Sequence, residues 1–526
     1  MKKTNKMIAL VLIGTMMASM SLTGCNKKET ASVTSTTDSK VSWDTTKHKK
    51  IVLATIKDYY TTALQQVAKD YNALHKETEV EIQIVGSNDQ YTQLFTTKIN
   101  SDKSTAPDII HTNLIAGSTE GDMINKKWLL SLDGLLDESN PYNKGEKVRD
   151  GFSDPSYLTQ AVSTVGKVGY LPFDLVGVGC FYNKGLFEKA GVKVPETYED
   201  FAAALATLQK SGFQNPLGAT AFVNWFGNSL TDWGFRKMET DFLTLPGDAL
   251  YDEKTMSANT KITYSEKDSN FDSAAIFNTE KILAYVDKNG IDSPIRKKIM
   301  ETEKSILQYC PPSFINPDDG QTYNQFIAQK VPVFVTGSWT VGKLVSDVSK
   351  LADDKKFKWG VFKFPNLKNA DLNFAGEPRG LLVAGHKLGL VDKGDKDLSD
   401  RAADFLKYMY SPNIAAKIYE ITLKKGELVQ GPSLIKGVKL SDEINGYLDG
   451  FKVSGTMKWD LGPLTGNVIK ADEPKAAKIR GDYVAGKISY EENVKQSSVL
   501  TKNYIEDQKK SNGYDLDPKT ADKAPK

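Results

Sequence analysis

The chain has 526 residues, with 68 basic and 66 acidic side chains and a formal net charge of +2. This balance, with no long Lys/Arg run interleaved with aromatics, excludes a nucleic-acid partner held by charge, and the length supports two or three domains with large cores. Three cysteines without CxxC or Cys/His spacing and four scattered histidines point to no zinc site and no disulfide framework, so neither a metal nor a cofactor is expected.

Residues 1–7 carry three lysines and no acid, and residues 8–22 hold no charge. This is the basic segment and short apolar segment of an export signal, too short for a membrane span. Removing residues 1–24 deletes three lysines and no acid, which brings the remainder close to neutrality. The following Leu22-Thr-Gly-Cys25 resembles the lipobox of bacterial lipoproteins, which implies a lipid on the Cys25 thiol and cleavage just before it. Residues 25–49, rich in Ser, Thr and Lys, bury too little to offset their ordering entropy and are expected to form a flexible tether.

Residues 51–56 form an apolar run fit for a buried strand, and residues 60–74 repeat apolar positions at helical spacing. Val80, Ile82 and Ile84 alternate as in a second strand; residues 91–99 read as a helix and 107–111 as a third strand. Strands alternating with helices imply a mostly parallel sheet covered on both faces, with ligands beyond the carboxyl ends of its strands. That rule puts Asp58, Tyr59 and Asn113 at one rim, where Asp58 either caps the next helix or meets a ligand.

Tyr170-Leu-Pro-Phe-Asp174 leads into an apolar run ending at Phe181-Tyr182. A Pro beside an acid between two strand-like runs predicts a hinge crossing, with Asp174 beside a ligand cleft. Thr197 caps a strong helix to residue 209, and residues 216–222 form a strand. Trp225, in the loop-like Asn224-Trp-Phe-Gly-Asn228, is either a sugar-stacking residue or packed beneath a loop. Residues 239–275 read as an irregular insertion, and Asp318-Asp319-Gly320 lacks the spacing of a calcium loop. After a strand over 331–336, Gly337-Ser338-Trp339 opens a helix; Ser338 is its expected cap, and Trp339 faces ligand at a strand–helix rim.

Residues 374–384 repeat the pattern of Pro, charge and glycine before an apolar run, which predicts a second crossing near 376–380. Glu377 and Arg379 there either bond a ligand or pair with each other. Residues 399–410 and 412–421 are helical, 426–432 form a third crossing, and the mainly helical remainder contains Trp459 before a polar tail from about 511.

Several stretches together resemble the extracellular solute-binding proteins of bacterial ABC importers, in the branch with maltose- and multiple-sugar-binding proteins. They include Ala106-Pro-Asp-Ile-Ile110, Leu171-Pro-Phe-Asp174, Phe181-Tyr-Asn-Lys-Gly-Leu-Phe-Glu-Lys-Ala-Gly191, Val194-Pro-Glu-Thr-Tyr-Glu-Asp-Phe201, Thr336-Gly-Ser-Trp339 and Ala402-Ala-Asp-Phe-Leu-Lys-Tyr-Met-Tyr-Ser-Pro412. The resemblance implies an α/β, periplasmic-binding-protein-like fold: two α/β lobes joined by a three-crossing hinge, with the ligand cleft between them. The lobes are expected at 50–173 with 380–427 and at 174–379 with 428–510, and the tail at 511–526. It further implies no enzyme activity, a lipid-anchored monomer on the extracellular face of the membrane, and delivery of a carbohydrate to ABC permease subunits. Family cleft positions match Asp58, Tyr59, Asn113, Asp174, Trp339, Glu377, Trp225, Arg379 and Trp459. Residues 239–320 are longer than the family pattern, and His111-Thr-Asn113 lacks its frequent aromatic or acid.

Sugar sites pair Trp and Tyr platforms with Asp, Asn, Glu and Arg hydrogen-bonding groups, and this is the inventory at the expected rims. A surface glycosidase would instead need two carboxylates flanking a bond, drawn from Asp58, Asp174 and Glu377. The sequence is also compatible with a binder of a peptide or polyamine, or with a surface sensor or adhesin.

Overall fold

Where apolar β-branched runs alternate with amphipathic helices, the strands pair in parallel and the helices cover them. The computed structural model, which describes residues 42–517 except 155–156, 159–160, 164–165, 250, 266–274, 369–371 and 454, has two five-stranded arrangements. The first is parallel only at the strand Lys49–Ile56 with its two neighbours and the second is mainly antiparallel, so the expected mostly parallel sheet is corrected. The export signal, Cys25 and the tether as far as residue 41 lie outside the described residues.

The first sheet has the order β2-β1-β3-β10-β4, formed by β1 (Lys49–Ile56), β2 (Thr78–Val85), β3 (Ile109–His111), β4 (Leu171–Pro172) and β10 (Lys387–Leu390). β1 runs parallel to β2 and β3, and β10 runs antiparallel to β3 and β4. The second sheet is built on β5 (Leu175–Asn183), whose late residues pair with β7 (Val333–Gly337) and β8 (Trp359–Phe362); β6 (Leu217–Gly218) lies outside β7. The first residues of β5 pair with β9 (Leu382–Ala384).

Three passes of the chain therefore run side by side between the sheets. The first is Phe173-Asp174, between β4 and β5; the second is Gly385-His386, between β9 and β10; the third is the run 428–435. Their backbones are bonded to one another: Phe173 N to His386 O at 2.9 Å, Gly385 N to Asp174 O at 2.9 Å, and Leu175 N to Pro432 O at 2.9 Å. Two glycines permit this approach. A Cβ on Gly385 would sit 2.7 Å from Asp174 Oδ1, and one on Gly431 would sit 2.1 Å from Leu175 O.

Several expectations are corrected. The second pass lies downstream of 376–380, because residues 382–384 stay with the second sheet through β9. The third run pairs with Tyr59 at Leu428 and with Phe152 at Ile435, so the chain is still on the first sheet's side after the expected change of lobe at 427/428. The tether ends before residue 43: Trp43 is buried against His75, and the buried Arg401 guanidinium donates to Asp44 O at 2.7 Å and Lys47 O at 2.9 Å. At the other end Tyr514 and Leu516 pack on the second core, beyond the expected start of the tail.

Arg379 is not a ligand-binding residue by position. It is fully buried, with Nη1 3.0 Å from Asp232 and 2.6 Å from Glu239. Breaking such a buried cluster leaves uncompensated charge and costs about 3–5 kcal/mol. The cluster joins the helix Trp225–Phe235 and the following turn to the approach to β9, which fixes the apparently irregular region after residue 235.

Candidate functional site

The carboxyl group of Asp174 sits at the centre of the hinge, fully buried. It accepts from the Tyr60 hydroxyl and, at 2.7 Å, from the His386 N–H of the second pass. The Gln430 N–H of the third pass, which donates to the Tyr60 oxygen at 3.1 Å, also steadies it. Burial raises its pKa to about 7, with the hydrogen bonds opposing the rise. Asp174 is thus a hinge residue rather than a cleft residue. Tyr59 is likewise buried, its ring against His111 and His386 and its hydroxyl accepting from Gln430 Nε2 at 2.8 Å. Asn113 is exposed at the hinge edge, where its Oδ1 accepts from Lys387 N at 3.4 Å.

His111 and His386 stack in this hinge, with centroids 4.1 Å apart and their Nε2 atoms at 3.3 Å. One ring must donate and the other accept there, and protonating both would set two N–H groups against each other. Burial lowers the pKa of His111 to about 3, and burial with its neighbour puts His386 well below the usual range.

A cleft of about 770 Å³ opens beside the hinge. Asp58 and residues 425–428 form one wall, and Phe222, Tyr323, Trp339 and Lys343 stand on the other. Asp58 is exposed, with a left-handed backbone (φ 64°) whose carbonyl accepts from Leu428 N at 2.8 Å. It does not cap the next helix. Glu427, on the same wall, does so, accepting Thr62 N at 3.0 and 3.1 Å. Ser338 is no cap either: its hydroxyl donates to Gln430 O and accepts Gly177 N at 3.0 Å, tying the strand before Trp339 to the third pass and to β5.

Trp339 starts the helix Thr340–Ser349, on which Lys343 and Asp347 follow at four-residue steps. The Lys343 ammonium lies 2.6 Å from Asp347 and 3.8 Å from the centre of the Tyr323 ring, and the Tyr323 hydroxyl donates to Asp347 at 2.9 Å. Partial burial raises the Asp347 pKa, but Lys343 and Tyr323 outweigh it and hold the carboxyl below its usual value. Trp339 also meets Phe222 edge-on at 5.4 Å; Phe222 meets Trp225 at 5.2 Å, and Trp225 meets Trp459 at 5.2 Å. Four aromatic rings therefore run in contact from the cleft to Trp459, which is 46% exposed. Trp225 stands at the start of a helix rather than in a loop, and Trp233 is core, donating to Ala375 O at 2.9 Å.

Glu377 is exposed and pairs with Lys363 at 3.1 Å, away from the cleft wall. Asp318 caps the helix Asp319–Ile327, and Asp319 accepts Ala221 N at 2.8 Å; among the described residues no group of three or more His, Cys, Asp and Glu is placed to hold a metal. Sequence reading missed Phe222, Tyr323 and Lys343. The four-residue spacing Trp339-Lys343-Asp347 was the available signal for Lys343.

Residues 57–416, more than half of the chain, match the family described as bacterial extracellular solute-binding protein. The chain belongs to that family. Among curated relatives, the multiple sugar-binding protein of Streptococcus mutans is 22% identical over 449 residues, covering 84% of each chain. Among solved structures, a probable secreted solute-binding lipoprotein of Streptomyces coelicolor superposes with a TM-score of 0.56 at 14% identity, covering 86% of this chain and 98% of that one. RafE of Streptococcus pneumoniae, in its apo form, gives 0.55 at 18% identity, covering 87% and 97%; RafE in complex with raffinose gives 0.51 at 18% identity, covering 87% and 99%. The solved neighbours share the two-lobed α/β fold of solute-binding proteins.

The hinge groups make opposite contributions to acid stability. Asp174, whose pKa rises from 3.8 to about 7, stabilises the fold fully below 3.8 and loses that contribution as pH rises through 7. The two histidines stay neutral in the fold but take protons below 6.5 when unfolded, so their contribution is lost as pH falls from 6.5. Two protons against one leave a slope of about 1.4 kcal/mol per pH unit, favouring the fold at higher pH between about 4 and 6.5. Denaturant unfolding at pH 6.5 and 4.5 is expected to show a smaller acid loss for His111→Phe than for the parent; an equal loss contradicts a neutral histidine pair.

Proposed function

We propose that this solute-binding protein captures a di- or oligosaccharide in the cleft and delivers it to the permease of an ABC importer. The observation that carries the reading is the row Trp339–Phe222–Trp225–Trp459, which starts in the cleft wall and reaches the surface. Sugar rings present apolar faces to aromatic platforms and hydroxyls to polar groups such as Asp58, Lys343 and Asp347. The names of the relatives, a multiple sugar-binding protein and a raffinose-bound RafE, support the same class. Capture by closure of lobes over residues 50–173 with 387–435, against 175–384 with 457–516, fits the three adjacent passes.

A glycosidase reading gains nothing from the geometry. Of its three candidate carboxyls, Asp174 is buried in the hinge and Glu377 is paired away from the cleft, which leaves Asp58. The other acids of the cleft wall, Asp319, Asp347 and Glu427, are engaged by Ala221, Lys343 and Thr62. Retention at the outer face of the membrane by lipid on Cys25 belongs to the same proposal and rests on the lipobox-like sequence.

Isothermal titration against mono-, di- and oligosaccharides, with a peptide and a polyamine as controls, is expected to give heat only with sugars of two or more rings. Trp339→Ala should weaken the tightest of them about tenfold, near 1.4 kcal/mol. Binding of the peptide or polyamine alone would refute the carbohydrate reading. Mass spectrometry of the chain extracted from membranes should find a lipid on residue 25 and none in Cys25→Ser; an unmodified parent would refute the anchor.

A further inference from the structure

Any rotation of one lobe against the other twists the three passes, and a carboxyl without a counter-charge stands where they meet. Asp174 belongs to the first pass and accepts His386 N of the second at 2.7 Å. It also accepts the Tyr60 hydroxyl, whose oxygen takes Gln430 N of the third pass at 3.1 Å. Among the described residues Asp174 forms no ion pair. The titratable groups around it come from every neighbouring element. Tyr59 and Tyr60 stand at the start of the first lobe's leading helix, and His386 lies on the second pass with His111 of β3 stacked behind it. Tyr410 ends the helix Lys396–Met409, and Tyr419 lies within Pro412–Lys425. Burial first, and the Asp174 charge after it, hold the four phenols protonated. Burial keeps both imidazoles neutral. The one group of this core that changes charge near neutrality is Asp174, which burial lifts to about 7.

Two bonding arrangements satisfy this core. With the carboxyl ionised, Tyr60 donates to Asp174 Oδ2. With a proton on Oδ2, the Tyr60 oxygen becomes the acceptor, since it is the atom already beside it. Tyr60 then turns its own proton to the hydroxyl of Tyr419, whose ring meets it edge-on at 6.4 Å and which goes on donating to Gly431 O at 2.8 Å. The two arrangements differ by one charge. A charge gains more from water than a neutral carboxyl does. The neutral form therefore favours the dry, packed passes, and the ionised form favours lobe angles that part them and admit water.

We propose that capture of a sugar takes up a proton at Asp174, so that the cleft binds more tightly in mild acid than in mild base. This inference rests on the reading of lobe closure over a carbohydrate. A sugar bridging the Asp58 and Trp339 walls holds the lobes at one angle and the passes packed, whereas the free protein samples angles at which they part. The pKa is then higher in the bound state than in the free one. Affinity is full below the free value and falls as pH rises through the bound value. The proton comes from the buffer and ends on Asp174 Oδ2.

Calorimetric titration of the full chain with the neutral oligosaccharide that binds most tightly tests this at pH 7 in phosphate and in Tris, whose ionisation enthalpies differ. The parent is expected to take up a fraction of a proton, and its Kd to rise about threefold or more from pH 6 to pH 8. Asp174→Asn offers His386 the same acceptor and Tyr60 the same donor as the protonated acid, so it should exchange no proton and lose the pH dependence. Tyr60→Phe removes a donor to the ionised form and should move the fall in affinity to higher pH. Heat from the parent that is the same in both buffers, proton release on binding, or uptake that persists in Asp174→Asn would each overturn the inference. If Asp174→Asn does not melt cooperatively, a pH profile unmoved in Tyr60→Phe does the same. Absence of heat from every sugar removes the carbohydrate reading and this inference together, whereas sugar heat without proton exchange removes this inference alone.

Discussion

The hinge depends on one buried carboxyl. Asp174 belongs to the first pass, accepts from His386 of the second, is steadied by Gln430 of the third, and takes the Tyr60 hydroxyl from the start of the first lobe's leading helix. A buried polar group left unmet costs about 1–3 kcal/mol, so Asp174 and its three partners are held to one geometry together. Gly385 and Gly431 leave the space that this convergence requires. The hinge is therefore a hydrogen-bonded core and not a loose linker.

That core passes directly into the cleft. Gln430 binds Tyr59 through its side chain and Ser338 through its carbonyl, and Ser338 immediately precedes Trp339. Glu427, a few residues before Gln430, caps the helix that begins at Thr61, while Asp58 on the facing turn is left free of that task. A change in the relative angle of the sheets would move Asp58 and Trp339, the two walls of the proposed sugar site, against each other. The aromatic row behind Trp339 belongs to one side only and would travel as a unit, since each ring is braced edge-on by the next.

Much of the fold was legible in the sequence. β1, β2 and the helices after them follow plain period-2 and period-3.6 patterns, and Trp339 was placed by a strand–glycine–helix signal. What was not legible depended on partners distant in the chain. A Pro-Phe-Asp break reads the same whether its acid faces solvent or the interior, and the groups that turn Asp174 inward are His386 and Gln430. The burial of Arg379 was hidden for the same reason: its carboxylates, Asp232 and Glu239, come from a stretch without periodic signal. Trp43, an isolated aromatic in a polar tract, did carry a signal that composition alone averaged away.

Closure of the two lobes on a sugar is the central claim, and small-angle X-ray scattering in solution tests it most directly. At saturating concentration of the oligosaccharide that binds most tightly, the radius of gyration should fall relative to the free protein. An unchanged radius of gyration under saturation would contradict closure about the Asp174 hinge.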